Sequence, residues 1–173
     1  MSMKSPTPIG GFTLIETMVA IAILTLSIVG PMIAANRAIV AAETARDQLS
    51  ASYLGQEGIE FVRAVRDNQF LATYPANTAN AWTNFLNSSL ITPCRSPGIC
   101  SLGPMQSNGT LLLCTGSSCT PPFSLVANGT KFARTIQLVG MTGTDERVVS
   151  KVSWSFHSIP YSVTITDHLT PWQ

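Results

Sequence analysis

The hydropathy pattern near the N-terminus is a single long apolar run. Residues 17–35 are 19 consecutive uncharged positions, rich in Ile, Leu, Val and Ala. A helix that crosses the hydrocarbon layer of a membrane needs about 20 such residues. The pattern therefore predicts a transmembrane helix over residues 12–35, which would anchor the chain in a cell membrane by one pass.

The helical pattern continues beyond the apolar run. Residues 36–67 are rich in Ala, Glu, Arg and Gln, which favour helices. Pro31 lacks a backbone N–H, so we expect a kink at that position. We expect one face of the continuing helix to pack against a core, with Gly58 allowing a sheet to approach closely. That face consists of Leu54, Gly58, Phe61, Val62 and Val65.

The pattern changes to short alternating runs in residues 68–173. The stretch 68–107 is polar and rich in Pro and Gly, with one short helical segment at 81–90. Strand-like runs follow at 110–114, 132–139, 147–156 and 161–169, where apolar residues mostly alternate with polar ones. We therefore predict an α+β fold, in which the long N-terminal helix packs on a small antiparallel sheet that forms a globular head.

The first eleven residues differ from an ordinary secretory signal. They are short and polar, and they end in Gly10-Gly11, before the apolar run rather than after it. Cleavage at this point would remove residues 1–11 and leave the membrane helix attached. Lys4 favours a cytoplasmic N-terminus, which places the head outside the cytoplasm.

Glu16 is the one charged residue at the start of the apolar run. A carboxylate within a membrane segment is costly, so such residues usually have a function. After cleavage, the amine of Phe12 would lie one helical turn from Glu16. Neither charge is stable alone in hydrocarbon, so Glu16 of one chain can pair with the Phe12 amine of a neighbouring chain. Such a buried pair fixes register even where its net stabilisation is small.

The sequence GGFTLIE resembles the prepilin-peptidase site of type IV pilins and type II secretion pseudopilins. The resemblance implies cleavage between Gly11 and Phe12, N-methylation of Phe12, an assembly role for Glu16 and a helix kink at Pro31. It also implies the partners: other pilin or pseudopilin subunits, the prepilin peptidase, an inner-membrane assembly platform and membrane lipid. The assembled product would be an extracytoplasmic filament.

The C-terminal strands resemble those of V-type minor pilins and I-type pseudopilins. The match lies in the sequence VSWSF, followed by YSVTITDHLTPW. The cysteines precede the last three predicted strands, whereas major pilins typically carry a disulfide that brackets the C-terminal region. This resemblance and this difference together favour a minor subunit.

Four cysteines lie between the helix and the last strands: Cys94, Cys100, Cys114 and Cys119. Four cysteines allow three pairings, and sequence alone does not choose between them. We favour Cys94–Cys100 and Cys114–Cys119 because both pairs are local, and an exported head permits disulfides. A four-cysteine zinc site is the competing interpretation, although no C-x-x-C is present.

No catalytic, cofactor or metal site is expected from the sequence. It contains no phosphate loop, zincin motif or dinucleotide fingerprint. His157 and His168 lie at predicted strand ends, and Asp167 and His168 should point to opposite faces of their strand. We therefore do not expect an enzyme.

Charge leaves one further class of partner open. The chain carries ten Lys and Arg against nine Asp and Glu, and loss of Lys4 with the leader would balance them. Nucleic-acid binding, as in a DNA-uptake filament, stays open if four basic residues share a face of the sheet: Lys131, Arg134, Arg147 and Lys151.

Two alternatives to a filament subunit remain. The chain could be a membrane-tethered extracytoplasmic binding module, with a role in DNA uptake or adhesion, or an enzyme held by a signal anchor. In both, the N-terminal helix serves only as an anchor. The N-terminus of the mature chain distinguishes them: a start at N-methyl-Phe12 indicates a pilin, whereas an intact Met1 indicates a tethered module.

Overall fold

A computed structural model describes residues 10–105, 111–115 and 124–171. The chain divides into two units, Met1–Glu43 and Thr44–Gln173. Helix α1 (Leu14–Thr73) begins in the first unit and ends in the second, which also contains helix α2 (Ala81–Leu86) and two 3-10 turns (Thr78–Asn80 and Thr92–Cys94). The strands are β1 (Cys100–Met105), β2 (Leu111–Thr115), β3 (Ser124–Ala127), β4 (Thr130–Thr142), β5 (Asp145–Phe156) and β6 (Ile159–Leu169).

The predicted α+β fold is confirmed. All strand pairs are antiparallel, and the sheet order is β2-β1-β4-β5-β6, with β3 also paired to β4. The four predicted strand-like runs correspond to β2, β4, β5 and β6. Two strands, β1 and β3, were not predicted. The short helix is present as α2, and it ends at Leu86 rather than at residue 90.

Helix α1 extends six residues beyond its predicted end at Asp67. The added residues 68–73 include Gln69, Phe70 and Leu71, which continue a helix readily. At its end the hydroxyl of Thr73 donates to the carbonyls of Gln69 and Phe70, at 3.1 and 2.9 Å. The helix also continues through Pro31. Because Pro31 has no N–H, the carbonyl of Ser27 lacks its usual helical donor, and a bend at this point stays a prediction.

The core of the second unit lies between α1 and one face of the sheet. The face of α1 predicted to be buried packs there, with Gly58, Val62 and Val65 buried and Leu54 and Phe61 half-buried. Its buried partners include Phe85 from α2 and alternate residues of the central strands, which are Phe132, Ile136, Leu138, Val148 and Val152. Because buried side chains alternate with more exposed ones along β4 and β5, one face of these strands packs in the core.

Gly58 marks the closest approach of helix and sheet. A Cβ atom at this position would lie 2.6 Å from the Ser150 Oγ and 3.3 Å from the Arg134 Cδ. Real Cβ atoms do not approach other atoms so closely, so only glycine fits here without movement of its neighbours. The expected role of Gly58 in close packing is confirmed.

The four basic residues considered for nucleic-acid binding do not share a face. Arg134 lies on the core face of β4 and is fully buried. Lys131, Arg147 and Lys151 occupy the alternate positions of their strands and point to the other face. The sequence-based grouping was therefore wrong for Arg134. Arg134 lies two residues from both Phe132 and Ile136 on the same strand, so its side chain faces the core as theirs do, despite its charge.

Candidate functional site

The predicted processing site lies directly before the first turn of α1. Gly10, Gly11 and Phe12 have no regular secondary structure and are exposed, and Phe12 exposes 81% of its surface. A Cβ at Gly10 or Gly11 would have no heavy atom within 4 Å outside its immediate surroundings. The bond between Gly11 and Phe12 is therefore accessible in a segment without regular secondary structure, as a protease requires. The rest of the leader, residues 1–9, lies outside the described residues.

Thr13 and Glu16 form the start of α1. The backbone N–H of Glu16 donates to the Thr13 carbonyl at 3.1 Å and approaches the Thr13 hydroxyl oxygen at 3.4 Å. Thr-x-x-Glu is the spacing of a capping box, in which the side chain at the first position caps the helix. A carboxylate in the first turn is also favoured by the helix dipole. The sequence-based interpretation missed the contact of Thr13 with the Glu16 N–H, although the T-x-x-E spacing was readable.

The other polar side chains of the apolar segment bond to their own helix. The hydroxyl of Thr17 donates to the Leu14 carbonyl at 2.8 Å, that of Thr25 to Ala22 at 2.9 Å, and that of Ser27 to Ile23 at 2.8 Å. Such internal bonds allow a hydroxyl to enter hydrocarbon without an unsatisfied donor. Within residues 12–35, Glu16 is the only charged side chain, and no described cation lies within ion-pair distance of it. Its charge therefore lacks a partner in the described chain.

In the described part of the first unit, the large apolar side chains are exposed. From Phe12 to Val40, every large apolar side chain is at least 43% exposed. Exposed apolar patches of this size indicate a membrane or a protein partner. Among the described residues, α1 is the one helix long and apolar enough to cross a membrane.

The predicted disulfide between Cys94 and Cys100 is confirmed, and both cysteines are buried. It closes a short loop that lies against β4. The Ser96 N–H donates to the Leu138 carbonyl at 2.7 Å, and Arg95 forms an ion pair with the buried carboxylate of Glu146. The second proposed pair lies outside the described residues, because neither Cys119 nor the side chain of Cys114 is described.

The charged residues at the end of β6 belong to two separate pairs. Asp167 accepts from the Nη2 of Arg63 on α1 at 2.8 Å, whereas His168 approaches Asp145 at 3.0 Å. The two neighbours thus face opposite sides of the sheet, as predicted. The hydrogen bonds that Arg63 donates to Asp167, aided by the nearby Glu60, raise the pKa of Arg63 above its ordinary value, so this guanidinium stays charged. Among the residues that the structure describes, no cluster of three His, Cys, Asp or Glu side chains could hold a metal ion.

Comparison with known proteins does not assign this chain to a family. No protein-family model, no curated protein and no solved structure matches it. What the chain defines is an α+β head preceded by an exposed apolar helix with one unpaired carboxylate at its start.

Proposed function

We propose that this chain is a structural subunit of a type IV pilus or a type II secretion pseudopilus. In this proposal, the prepilin peptidase cleaves between Gly11 and Phe12, Phe12 is N-methylated, and the chain assembles through its N-terminal helix. Before assembly it is a single-pass membrane protein with a cytoplasmic N-terminus, and after assembly it lies in an extracytoplasmic filament. The position of its cysteines supports a minor subunit.

The observation that carries the proposal is the arrangement of the first helical turn. An accessible Gly-Gly segment is followed directly by the start of α1, and the single carboxylate of the apolar segment 12–35 lies in the first turn without a described cation beside it. A plain signal anchor requires neither the Gly-Gly placement nor the acid. Both have a function if the leader is removed and the new amine of one subunit pairs with Glu16 of the next.

Intact-mass spectrometry of the membrane-extracted protein tests the proposal. Co-expression with an active prepilin peptidase should yield a chain that begins at Phe12 and is one methyl group heavier than the unmodified fragment. The Gly11→Val variant should keep its leader, because a branched side chain obstructs the small-residue site. An uncleaved wild-type chain, in cells that process a known prepilin, would contradict the proposal and favour a membrane-tethered module.

A further inference from the structure

Strand β6 has an open edge. It pairs with β5 through eleven consecutive residue pairs without a bulge, and no other strand in the described part of the chain pairs with it. In an antiparallel strand, every second residue turns its N–H and C=O away from the neighbour. Natural edge strands are commonly protected by Lys, Pro or bulges. Between Tyr161 and Thr166, β6 has none of these.

A groove lies between α1 and the C-terminal part of β6, at residues 165–167. Its volume is about 380 Å³, and its lining includes Gln56, Ile59, Glu60 and Arg63 from α1, and Ile165 and Asp167 from β6. The helix approaches β6 closely at Gly55, where a Cβ would lie 2.9 Å from the Ile165 Cδ1. Tyr161, Val163 and Ile165 are half-buried on the face of β6 that points toward the helix. An added strand would therefore find both unpaired backbone groups and an apolar row.

The charges at the end of the groove are unbalanced. Arg63 lies between two carboxylates, 2.6 Å from an oxygen of Glu60 and 2.8 Å from an oxygen of Asp167. Glu60 is largely exposed, and one cation against two anions leaves a net negative charge. A basic side chain on an incoming strand would be attracted to this end, whereas an acidic one would be repelled.

We propose that the groove between α1 and β6 binds an extended segment of a partner protein, which adds a strand to the edge of β6. Its backbone pairs with β6, its alternate side chains are apolar and contact Val163, Ile165 and Ile59, and one Lys or Arg lies beside Glu60. Strand addition of this kind takes affinity from main-chain hydrogen bonds and specificity from alternate side-chain positions. This proposal does not depend on cleavage at Gly11, so it can hold or fail separately from the proposed function.

Peptide binding to the full chain in detergent micelles tests strand addition. The probe is a fluorescein-labelled peptide of alternating Val and Thr with one Arg, measured by anisotropy. Two isomers carry N-methyl groups, either on the Val residues or on the Thr residues. One isomer should bind like the parent, and the other should bind about tenfold or more weakly, because it cannot donate the hydrogen bonds that face β6.

A second set of measurements tests the preference of the groove for a basic side chain. Glu60→Gln should weaken binding of the Arg peptide by about threefold or more, and should reduce its advantage over a peptide with Glu in place of Arg. Glu43→Gln, the same change at an exposed position outside the groove, should leave binding unchanged. Absence of parent-peptide binding, or an equal loss in both N-methylated isomers, would overturn the proposal. A chain dimer in the same micelles that excludes the peptide would assign the edge to a second copy and would overturn it too.

Discussion

Glu16 combines two properties that a substitution can separate. It occupies the Glu position of the Thr-x-x-Glu spacing, and it carries the one charge of the apolar segment. Glutamine serves in a capping box as well as glutamate does, but it is neutral. The pair Glu16→Gln and Glu16→Val therefore distinguishes a role in starting the helix from a role in pairing with the amine of a neighbour.

We predict that both variants insert and are cleaved at Gly11, but that neither enters filaments. The favourable insertion free energy, summed over the apolar side chains of the segment, exceeds any cost of Gln or Val at position 16. Both variants should therefore still insert. Immunoblotting of sheared filaments and of membranes measures incorporation and processing in the same cells. Normal assembly of Glu16→Gln beside failure of Glu16→Val would show that the helix cap is what assembly requires, and would contradict the charge pair.

Gly58 allows a second test at the scale of one residue. Gly58→Ala should lower the free energy of unfolding by about 1–3 kcal/mol, because its Cβ would overlap the Ser150 Oγ and press on the Arg134 side chain. Gly55→Ala is the matched control on the same helix, since its Cβ would meet one side chain, that of Ile165, at 2.9 Å from Cδ1, whereas a Cβ at Gly58 would meet three side chains. Denaturant unfolding of the detergent-solubilised chain measures both. Equal effects at the two positions would contradict this account of the packing.

At the scale of elements, a buried cation joins α1 to the sheet. The guanidinium of Arg134 donates to the Leu54 carbonyl at 2.8 Å, to Glu57 at 2.6 Å and to the Gly103 carbonyl at 3.0 Å. These contacts link α1, β4 and β1 through one side chain. A buried charge is costly unless it is paired, so Glu57 is needed for this connection.

We predict that Glu57→Gln destabilises the fold by about 1–3 kcal/mol, because it leaves Arg134 buried without its anion. The partial exposure of Glu57 keeps this loss below that of a fully buried pair. Glu60→Gln, one turn away, removes an exposed pair with Arg63 and should change stability by less than about 1 kcal/mol. Chemical denaturation compares the two. A larger loss for Glu60→Gln would contradict the buried-pair argument.

A separate prediction concerns the effect of the disulfide on stability. Reduction of Cys94–Cys100 should lower the free energy of unfolding by about 2 kcal/mol, which is the loop-closure effect of a short loop. The loss should stay near this value because backbone bonds such as Ser96 to Leu138 still hold the loop on β4. Because Cys114 and Cys119 are also predicted to pair, the effect of reductant is measured in a chain with these two changed to Ala. In that chain, changing Cys94 and Cys100 to Ala as well should abolish the effect of reductant.

At the scale of the whole molecule, periodicity predicted the elements that have one apolar and one polar face. Helix α1 and strands β4, β5 and β6 are of this kind. Strand β1 was missed because Gly103 and Pro104 interrupt it, and β3 because four residues are too few to show alternation. The inward direction of Arg134 depends on the Leu54 and Gly103 carbonyls, which sequence alone does not bring together. The processing site at Gly11 and Phe12 rests on a local, continuous sequence signal and stays a prediction.

The two units differ in what they require from their surroundings. The buried residues of the described chain begin at Asp47, within the second unit. In the first unit, the large apolar side chains from Phe12 to Ile39 are exposed. A domain with its own core folds alone, whereas an exposed apolar helix needs lipid or other subunits.

We predict that a chain beginning at residue 36 folds and stays monomeric without detergent, whereas the chain beginning at Phe12 requires detergent or lipid. Near-ultraviolet circular dichroism should show ordered aromatic residues in the truncated chain, since Phe132, Trp154 and Tyr161 pack in one row with ring centroids 5.7 Å apart. Sedimentation velocity gives the oligomeric state. If the truncated chain lacks this signal or aggregates, the head depends on the N-terminal segment for folding. The anchor would then be part of the fold rather than a separate means of attachment and assembly.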